Sequence, residues 1–192
     1  MDAMDRKVII FSAPSGAGKS TIVNHILGLH PELEFSVSAT SRAPRGNEQN
    51  GKEYYFFTAD EFRKMIEEDK FVEHEEVYPG SFYGTLKSEL ERIWAKGHTI
   101  VFDIDVKGGV NMKRIFGDKA FSIFIKAPSV EVLRQRLTGR GTDSPEAIER
   151  RVAKAEEETE FAKGKFDYVL VNDDIEKAFK EAEQIVDRFL TA

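Results

Sequence analysis

The stretch Ala13-Pro14-Ser15-Gly16-Ala17-Gly18-Lys19-Ser20-Thr21 is the first whose residue types and spacing could do chemistry. It follows a short apolar run, precedes an amphipathic segment, and contains the Gly-Lys-Ser that ends the Walker A pattern G-x-x-x-x-G-K-[ST]; Ala13 stands where the first glycine of that pattern falls. A glycine-rich turn lets successive backbone N–H groups converge on phosphate oxygens, and a helix starting there directs its positive end at them. In that arrangement Lys19 reaches the β- and γ-phosphates of a nucleoside triphosphate, and Ser20 holds the Mg²⁺ that bridges them. The group that receives a phosphate must be recognised elsewhere in the chain.

Arg42 and Arg45 flank Pro44. The proline biases Ala43 toward an extended backbone, and a stiffened loop with two guanidiniums suits bidentate capture of a phosphate. In isolation the same loop reads equally as a solvated basic turn. Tyr54 follows the Asn50-Gly51 turn and offers either a hydroxyl to that phosphate or a ring to a core beside Tyr55 and Phe56. Further on, Glu73, Glu75 and Glu76 lie in one strand-like run, closely followed by Tyr83-Gly84-Thr85. Guanine presents N1–H and N2–H₂ as a donor pair that one carboxylate can accept, whereas the Watson–Crick edge of adenine has no such pair. Spacing leaves open which of the three glutamates fills that role, or whether all belong to a solvated strand face.

Segment 134–151 is rich in arginine within an acidic chain. Arg136 and Arg140 precede a helical stripe of Ile148, Val152, Ala155 and Ala162; Arg151 sits beside that stripe, and Arg150 points nearly opposite. Arginines on a mobile segment stabilise the charge that phosphoryl transfer spreads over oxygens, and Gly139 and Gly141 would let it hinge. The alternative is an exposed helix pair making surface ion pairs. Asn172 ends a short apolar run and could meet an adenine, while Asp173 or Asp174 could cap the last helix. His25, His30, His74 and His98 show no metal-ligand spacing.

These residues need elements to position them. Strand-like runs fall at 8–11, 35–40, 54–57, 71–77, 99–102, 121–125 and 169–171. Helical patterns fall at 21–29, 85–95, from Ser129 to Leu137, from Pro145 onward, and along a last stripe from Ile175 to Phe189. A further helix opens at the capping box formed by Thr58 and Glu61. Residues 41–53 read as a loop. Short apolar runs alternating with helices imply an α/β fold with a mainly parallel central sheet flanked by helices. Ligands of such sheets bind beyond the carboxyl ends of the strands, which marks the turn after Phe11, the segment after 35–40, and Asp103.

A chain of 192 residues is one domain on the length prior. With 28 Lys and Arg against 34 Asp and Glu, it lacks the basic footprint of nucleic-acid binding. The absence of cysteine excludes disulfides, Cys-ligated metals and a cysteine nucleophile. No apolar run approaches the roughly 20 residues needed to span a bilayer, and the first residues lack the layout of a secretory signal. The expectation is a cytoplasmic protein with neither membrane nor nucleic-acid partner.

Taken together, the stretches PSGAGKST at 14–21, SATSRAPRGNEQNGKEY at 38–54, FVE at 71–73, YGT at 83–85, DIDVKG at 103–108, GRGTDSPEAIERR at 139–151 and NDD at 172–174 resemble guanylate kinase. The resemblance runs over nearly the whole chain and implies the P-loop kinase fold, with a single domain at 5–187. Its core would be 5–37, 96–127 and 161–190, with a small GMP-binding subdomain at 38–95 and a helical lid at 128–160. It implies Mg²⁺-dependent transfer of the ATP γ-phosphoryl group to GMP, with dGMP as a further acceptor, in purine nucleotide metabolism and GMP recycling; no obligate protein partner is implied.

Carried over residue by residue, it assigns the 13–21 loop and Asn172 to ATP, Arg42, Arg45, Tyr54 and Tyr83 to the GMP phosphate, and Ser38, Glu73, Gly84, Thr85 and Asp103 to the rest of GMP. Ser20 and Asp103 are assigned to the metal, and Lys19, Arg42, Arg136, Arg140 and Arg151 to catalysis. Two readings compete: a kinase for another acceptor, and a non-catalytic module that keeps the fold and binds a protein.

Overall fold

The computed structural model describes residues 6–139, 141 and 144–192. In chain order its elements are β1 (Val8–Ser12), α1 (Lys19–Leu29), β2 (Leu33–Phe35), β3 (Ala39–Thr40), β4 (Tyr55–Phe56), α2 (Ala59–Glu67), β5 (Phe71–Tyr78), β6 (Ser81–Leu86), α3 (Lys87–Ala95), β7 (Thr99–Asp103), α4 (Val106–Phe116), β8 (Ala120–Lys126), α5 (Val130–Gly139), α6 (Pro145–Ala162), β9 (Tyr168–Val171) and α7 (Ile175–Thr191). Among the described residues, β2-β7-β1-β8-β9 form one sheet in that order, parallel throughout. The strands β4-β3-β6-β5 form a second, mostly antiparallel sheet.

The central strand shows why the first sheet is buried on both faces. Residues of a strand alternate sides. Ile9 and Phe11 pack with Ile22 and Ile26 of α1 and Ile185 and Val186 of α7. Val8 and Ile10 pack on the opposite face with Leu90 and Ile93 of α3 and Met112 and Phe116 of α4. All five residues of β1 are buried, the burial of a parallel strand covered by helices above and below. The second sheet has its own core, in which Phe62 of α2 stacks between Phe71 and Phe82 with ring centroids 4.3 and 5.3 Å away. Leu133 and Leu137 of α5 meet Ile148, Val152 and Ala155 of α6 in a third cluster.

The expected strand over 35–40 is two strands in two sheets. β2 ends at Phe35, the chain crosses over Ser36–Ser38, and β3 begins at Ala39. Alternating apolar residues suit either sheet, so the pattern hides the crossing. The expected helix start at Thr85 is also corrected: Thr85 and Leu86 finish β6, and α3 begins at Lys87. Helix α4 was not anticipated, because Gly108 and Gly109 interrupt its periodicity; Asp105 caps it by accepting from the Gly108 N–H at 2.8 Å. The capping box of α2 is complete, Ser144 and Pro145 open α6, and of the two candidate caps for α7 it is Asp174 that serves.

The two passages between the sheets, near Val37 and through α3, are tied by one buried carboxylate. Glu89 is 2% exposed. It accepts from the Val37 N–H at 3.0 Å, the Tyr55 hydroxyl at 2.8 Å, and Nε and Nη2 of Arg92 at 2.8 Å each. Arg92 also reaches Glu34 of β2 at 2.5 Å. Burial alone would raise the Glu89 pKa, but Arg92, Val37 and Tyr55 overcome it and hold the carboxyl below its ordinary range. A buried donor left unpaired costs about 1–3 kcal/mol, so Glu89→Ala, which strands Val37 N–H and the Tyr55 hydroxyl, should lower the urea-unfolding free energy by about 3 kcal/mol. Because the folded pKa is depressed, this stabilisation is present above the ordinary value of 4.5 and lost as the pH falls. The gap between wild type and Glu89→Ala should therefore narrow in unfolding curves taken progressively below that pH.

Candidate functional site

The phosphate loop occupies the carboxyl end of β1. Gly16 and Gly18 adopt φ of 89° and 93°, a left-handed backbone that a side chain would strain. Gly18 is also the residue just before α1, and a Cβ there would collide with the Asn172 amide. No side chain caps α1 and its first turn holds no acidic residue. Its first amide groups therefore await partners, the condition under which a helix start takes an anion.

Lys19 crosses the loop. Its Nζ lies 2.5 Å from Asp103 Oδ1 and donates to the Ile104 carbonyl at 3.0 Å, which ties the first helical residue to the end of β7. Ser20 and Thr21 are exposed beside it. A cleft of about 410 Å³ opens over the loop, lined also by Asp105 and by Arg151, Lys154 and Glu158 of α6. A second cleft, of about 420 Å³, shares Asp105, Lys154 and Glu158 with the first and extends to Glu75 of β5. The two make one groove running from the phosphate loop toward the second sheet.

Arg136 leaves α5 to donate to the Asn172 carbonyl at 2.8 Å, joining the α5–α6 pair to the end of β9. Arg151 lines the cleft, and Arg150 is exposed, as the helical stripe requires. Arg140 lies outside the described residues. Asn172, expected to meet an adenine, is 4% exposed at the end of β9, and its side-chain amide donates to the Ala17 carbonyl at 2.9 Å, bracing the phosphate loop.

The second sheet carries the other candidates. Glu73 and Thr85 are register partners on β5 and β6, and the Thr85 hydroxyl donates to Glu73 Oε1 at 2.9 Å. Glu75 and Glu76 are exposed, and Glu76 accepts from the Gly80 N–H. Of the three glutamates left open by spacing, Glu73 is thus the enclosed one with a hydroxyl beside it. Burial raises its pKa, the Thr85 hydroxyl opposes this, and the charges of Asp105 and Glu75 raise it further. Gly84 is buried between β3 and β5, where a Cβ would lie 2.8 Å from the Glu73 carbonyl. Ser38 is half-buried at the crossing into β3 and accepts from the Tyr55 N–H through its carbonyl.

Arg42 lies over the Tyr54 ring at 4.8 Å, and Tyr54 meets Tyr83 edge-on at 6.2 Å. Arg45 is exposed on the same loop. Three residues went unread in the sequence: Lys154 and Glu158 in the groove, and Glu48, which forms a two-pronged ion pair with Arg42 at 2.7 and 2.8 Å. The polar stripe of α6 beside Ile148, Val152 and Ala155 could have identified the first two.

Asp103 and Asp105 separate in the structure. Asp103 is held against Lys19, and Asp105 is the one that lines the groove and whose charge acts on Glu73. Among the described residues, no cluster of three or more His, Asp or Glu could hold a metal by itself. The exposed Ser20 hydroxyl beside the open amides of α1, with a carboxylate near, would fit a Mg²⁺ that takes most of its ligands from phosphates and water.

Comparison with known proteins agrees along the whole chain. A family model described as guanylate kinase matches residues 5–189. The guanylate kinase of Bacteroides thetaiotaomicron is 56% identical over 97% of this chain and 91% of its own length, and that of Bacteroides fragilis is 55% identical over the same shares. The crystal structure of guanylate kinase from Anaplasma phagocytophilum superposes with a TM-score of 0.71 at 31% identity, covering 95% of this chain and 85% of that one.

The raised Glu73 pKa has a sign that can be measured. A carboxylate that binds its proton more tightly folded than unfolded costs stability once the pH passes its ordinary value of 4.5. Glu73→Gln removes that cost. The ligand-free variant should unfold at a temperature equal to or above wild type at neutral pH, and the difference should shrink to nothing as the pH drops through the carboxylate range in a series of thermal melts.

Proposed function

The chain belongs to the guanylate kinase family of ATP:GMP phosphotransferases, and we propose that it moves the γ-phosphoryl group of Mg²⁺-bound ATP onto GMP, and onto dGMP, giving ADP and the nucleoside diphosphate. The observation that carries this reading is the groove that has an uncapped helix start and Lys19 at one end and reaches Glu75 of the second sheet at the other, with the enclosed Glu73 two residues away on the same strand and under the charge of the groove's Asp105. One end suits a polyphosphate and the other a guanine.

In this reading the amides of the 13–21 loop cradle the ATP phosphates, and Lys19 neutralises charge at the transferring group. Ser20 and Asp103 would hold Mg²⁺, which when bound screens the phosphate oxygens. Arg42, Arg45, Tyr54 and Tyr83 take the GMP phosphate. Glu73 accepts the guanine donor pair, with Ser38, Gly84, Thr85 and Asp103 completing the GMP site, and the charge of Asp105 acts on Glu73. Arg136, Arg140 and Arg151 supply positive charge from the lid side. The GMP phosphate is already anionic at neutral pH, with a second pKa near ~6, so positioning and charge neutralisation carry the step without a general base.

A core, a GMP-binding part at 38–95 and a lid at 128–160 would close on the two nucleotides, because an open groove would spend ATP on water. The setting is purine nucleotide metabolism and GMP recycling in the cytoplasm, with no nucleic-acid, membrane or obligate protein partner. Among the described residues, no helix is long and apolar enough to cross a membrane.

The test is ADP release from Mg²⁺·ATP with GMP, dGMP, AMP, CMP, UMP and dTMP offered in turn. Turnover is expected with GMP and dGMP alone. Lys19→Ala should lower kcat by on the order of 100-fold, and Glu73→Gln should raise the KM for GMP roughly 10- to 100-fold with the KM for ATP unchanged. Turnover with a different acceptor would keep the kinase and discard the base assignment, and silence with all six would favour the non-catalytic module.

A further inference from the structure

Arg42 has five N–H donors in one plane, and most of them are already committed. Nη1 donates to Glu48 Oε2 at 2.7 Å and to the Ala43 carbonyl at 3.0 Å, which uses both of its hydrogens. Nη2 donates one hydrogen to Glu48 Oε1 at 2.8 Å. The Nε–H and the second Nη2 hydrogen lie side by side on the other edge of the guanidinium, and beyond Glu48 the side chain has the Tyr83 hydroxyl as a hydrogen-bond partner. Two parallel donors on that edge match two oxygens of a phosphate. The plane itself is held by the Tyr54 and Phe56 rings, 4.8 and 5.7 Å from the guanidinium carbon.

Glu48 is anchored independently of Arg42. Its Oε2 also accepts from the Arg45 N–H at 2.7 Å, and its own N–H donates to the Arg45 carbonyl at 3.1 Å, closing the turn from Arg45 to Glu48. The two side chains are 14% and 22% exposed. The Arg42 ion pair holds the Glu48 carboxyl down at about 2, so it is charged throughout the neutral range.

On the reading of Arg42 and Tyr83 as phosphate holders, we propose that Glu48 is the positioning residue of the acceptor-phosphate site: it grips Arg42 by the far end of its guanidinium, aims the other edge, with Tyr83 beside it, at the phosphate, and keeps that grip when the acceptor binds. One carboxylate thereby sets both arginines of the loop, Arg42 through its side chain and Arg45 through its backbone. The opposite behaviour is that of a stand-in, a carboxylate that occupies Arg42 only until a phosphate displaces it. Release would also give up the Arg45 N–H bond and loosen the turn that carries the second arginine.

The two behaviours differ in sign. With wild type, Glu48→Gln and Glu48→Asp, KM for GMP, KM for ATP and kcat are measured separately, with thermal melts to confirm that the variants fold. Positioning predicts that Glu48→Gln raises the KM for GMP about tenfold or more while the KM for ATP stays within about twofold, and that Glu48→Asp recovers part of the loss. A lower KM for GMP would establish the stand-in. An unchanged KM, or equal rises for both substrates, would also overturn the proposal. A wild-type protein inert with GMP would instead remove the functional reading beneath it, an outcome the wild-type control separates from the rest.

Discussion

A helix start whose amides have no partner is a poor element for a folding chain, because each unpaired N–H normally finds a side chain or is lost to water. Here the start of α1 is kept free, and the surrounding structure follows from that. β1 is buried on both sides, so the loop springs from an immobile strand. Gly16 and Gly18 turn the backbone where a side chain would not fit. Asn172 holds the Ala17 carbonyl from the neighbouring end of the sheet, and Lys19 is tied back to Asp103 and Ile104. These contacts fix the loop without spending the amides at its centre.

The second sheet answers a different requirement. In the proposed reaction its groups would meet a second anion while the first is held, and two phosphates repel. The acidic chain gathers Arg42 and Arg45 on one loop, where Glu48 bonds the side chain of the first and the backbone N–H of the second. Glu73 is enclosed enough for its pKa to rise, so a donor pair on a base would gain more there than at the exposed Glu75 or Glu76. The carboxylate of Glu89 joins this sheet to the core at the two passages between them.

Much of this was legible because it is local. The glycine turn after β1, the capping box at Thr58, the helix start at Pro145 and the buried stripe of α6 are all written within a few residues and appear as read. What was missed depends on partners far along the chain. The break at Ser36–Ser38 separates two sheets that want the same alternating pattern. β6 mixes aromatic residues with Gly84, whose smallness only makes sense against the Glu73 carbonyl. Glu48 gains its meaning only where Arg42 turns onto it, and Asn172 only where its amide reaches the Ala17 carbonyl. Resemblance to a family marked the residues to watch, but not which of them would face the groove.

The register of the core sheet also bears on how the chain must be assembled. β1 is made first, yet Val8 pairs with Ile100 on one side and Ala120 on the other. Leu33 of β2 likewise waits for Thr99. The second sheet is complete once Leu86 has been made, since all its pairs fall between Ala39 and Leu86. Pairings that close long loops are slow. A ribosome therefore releases β1 long before its neighbours exist, and the second sheet can reach its final pairing while that wholly buried strand is still without one.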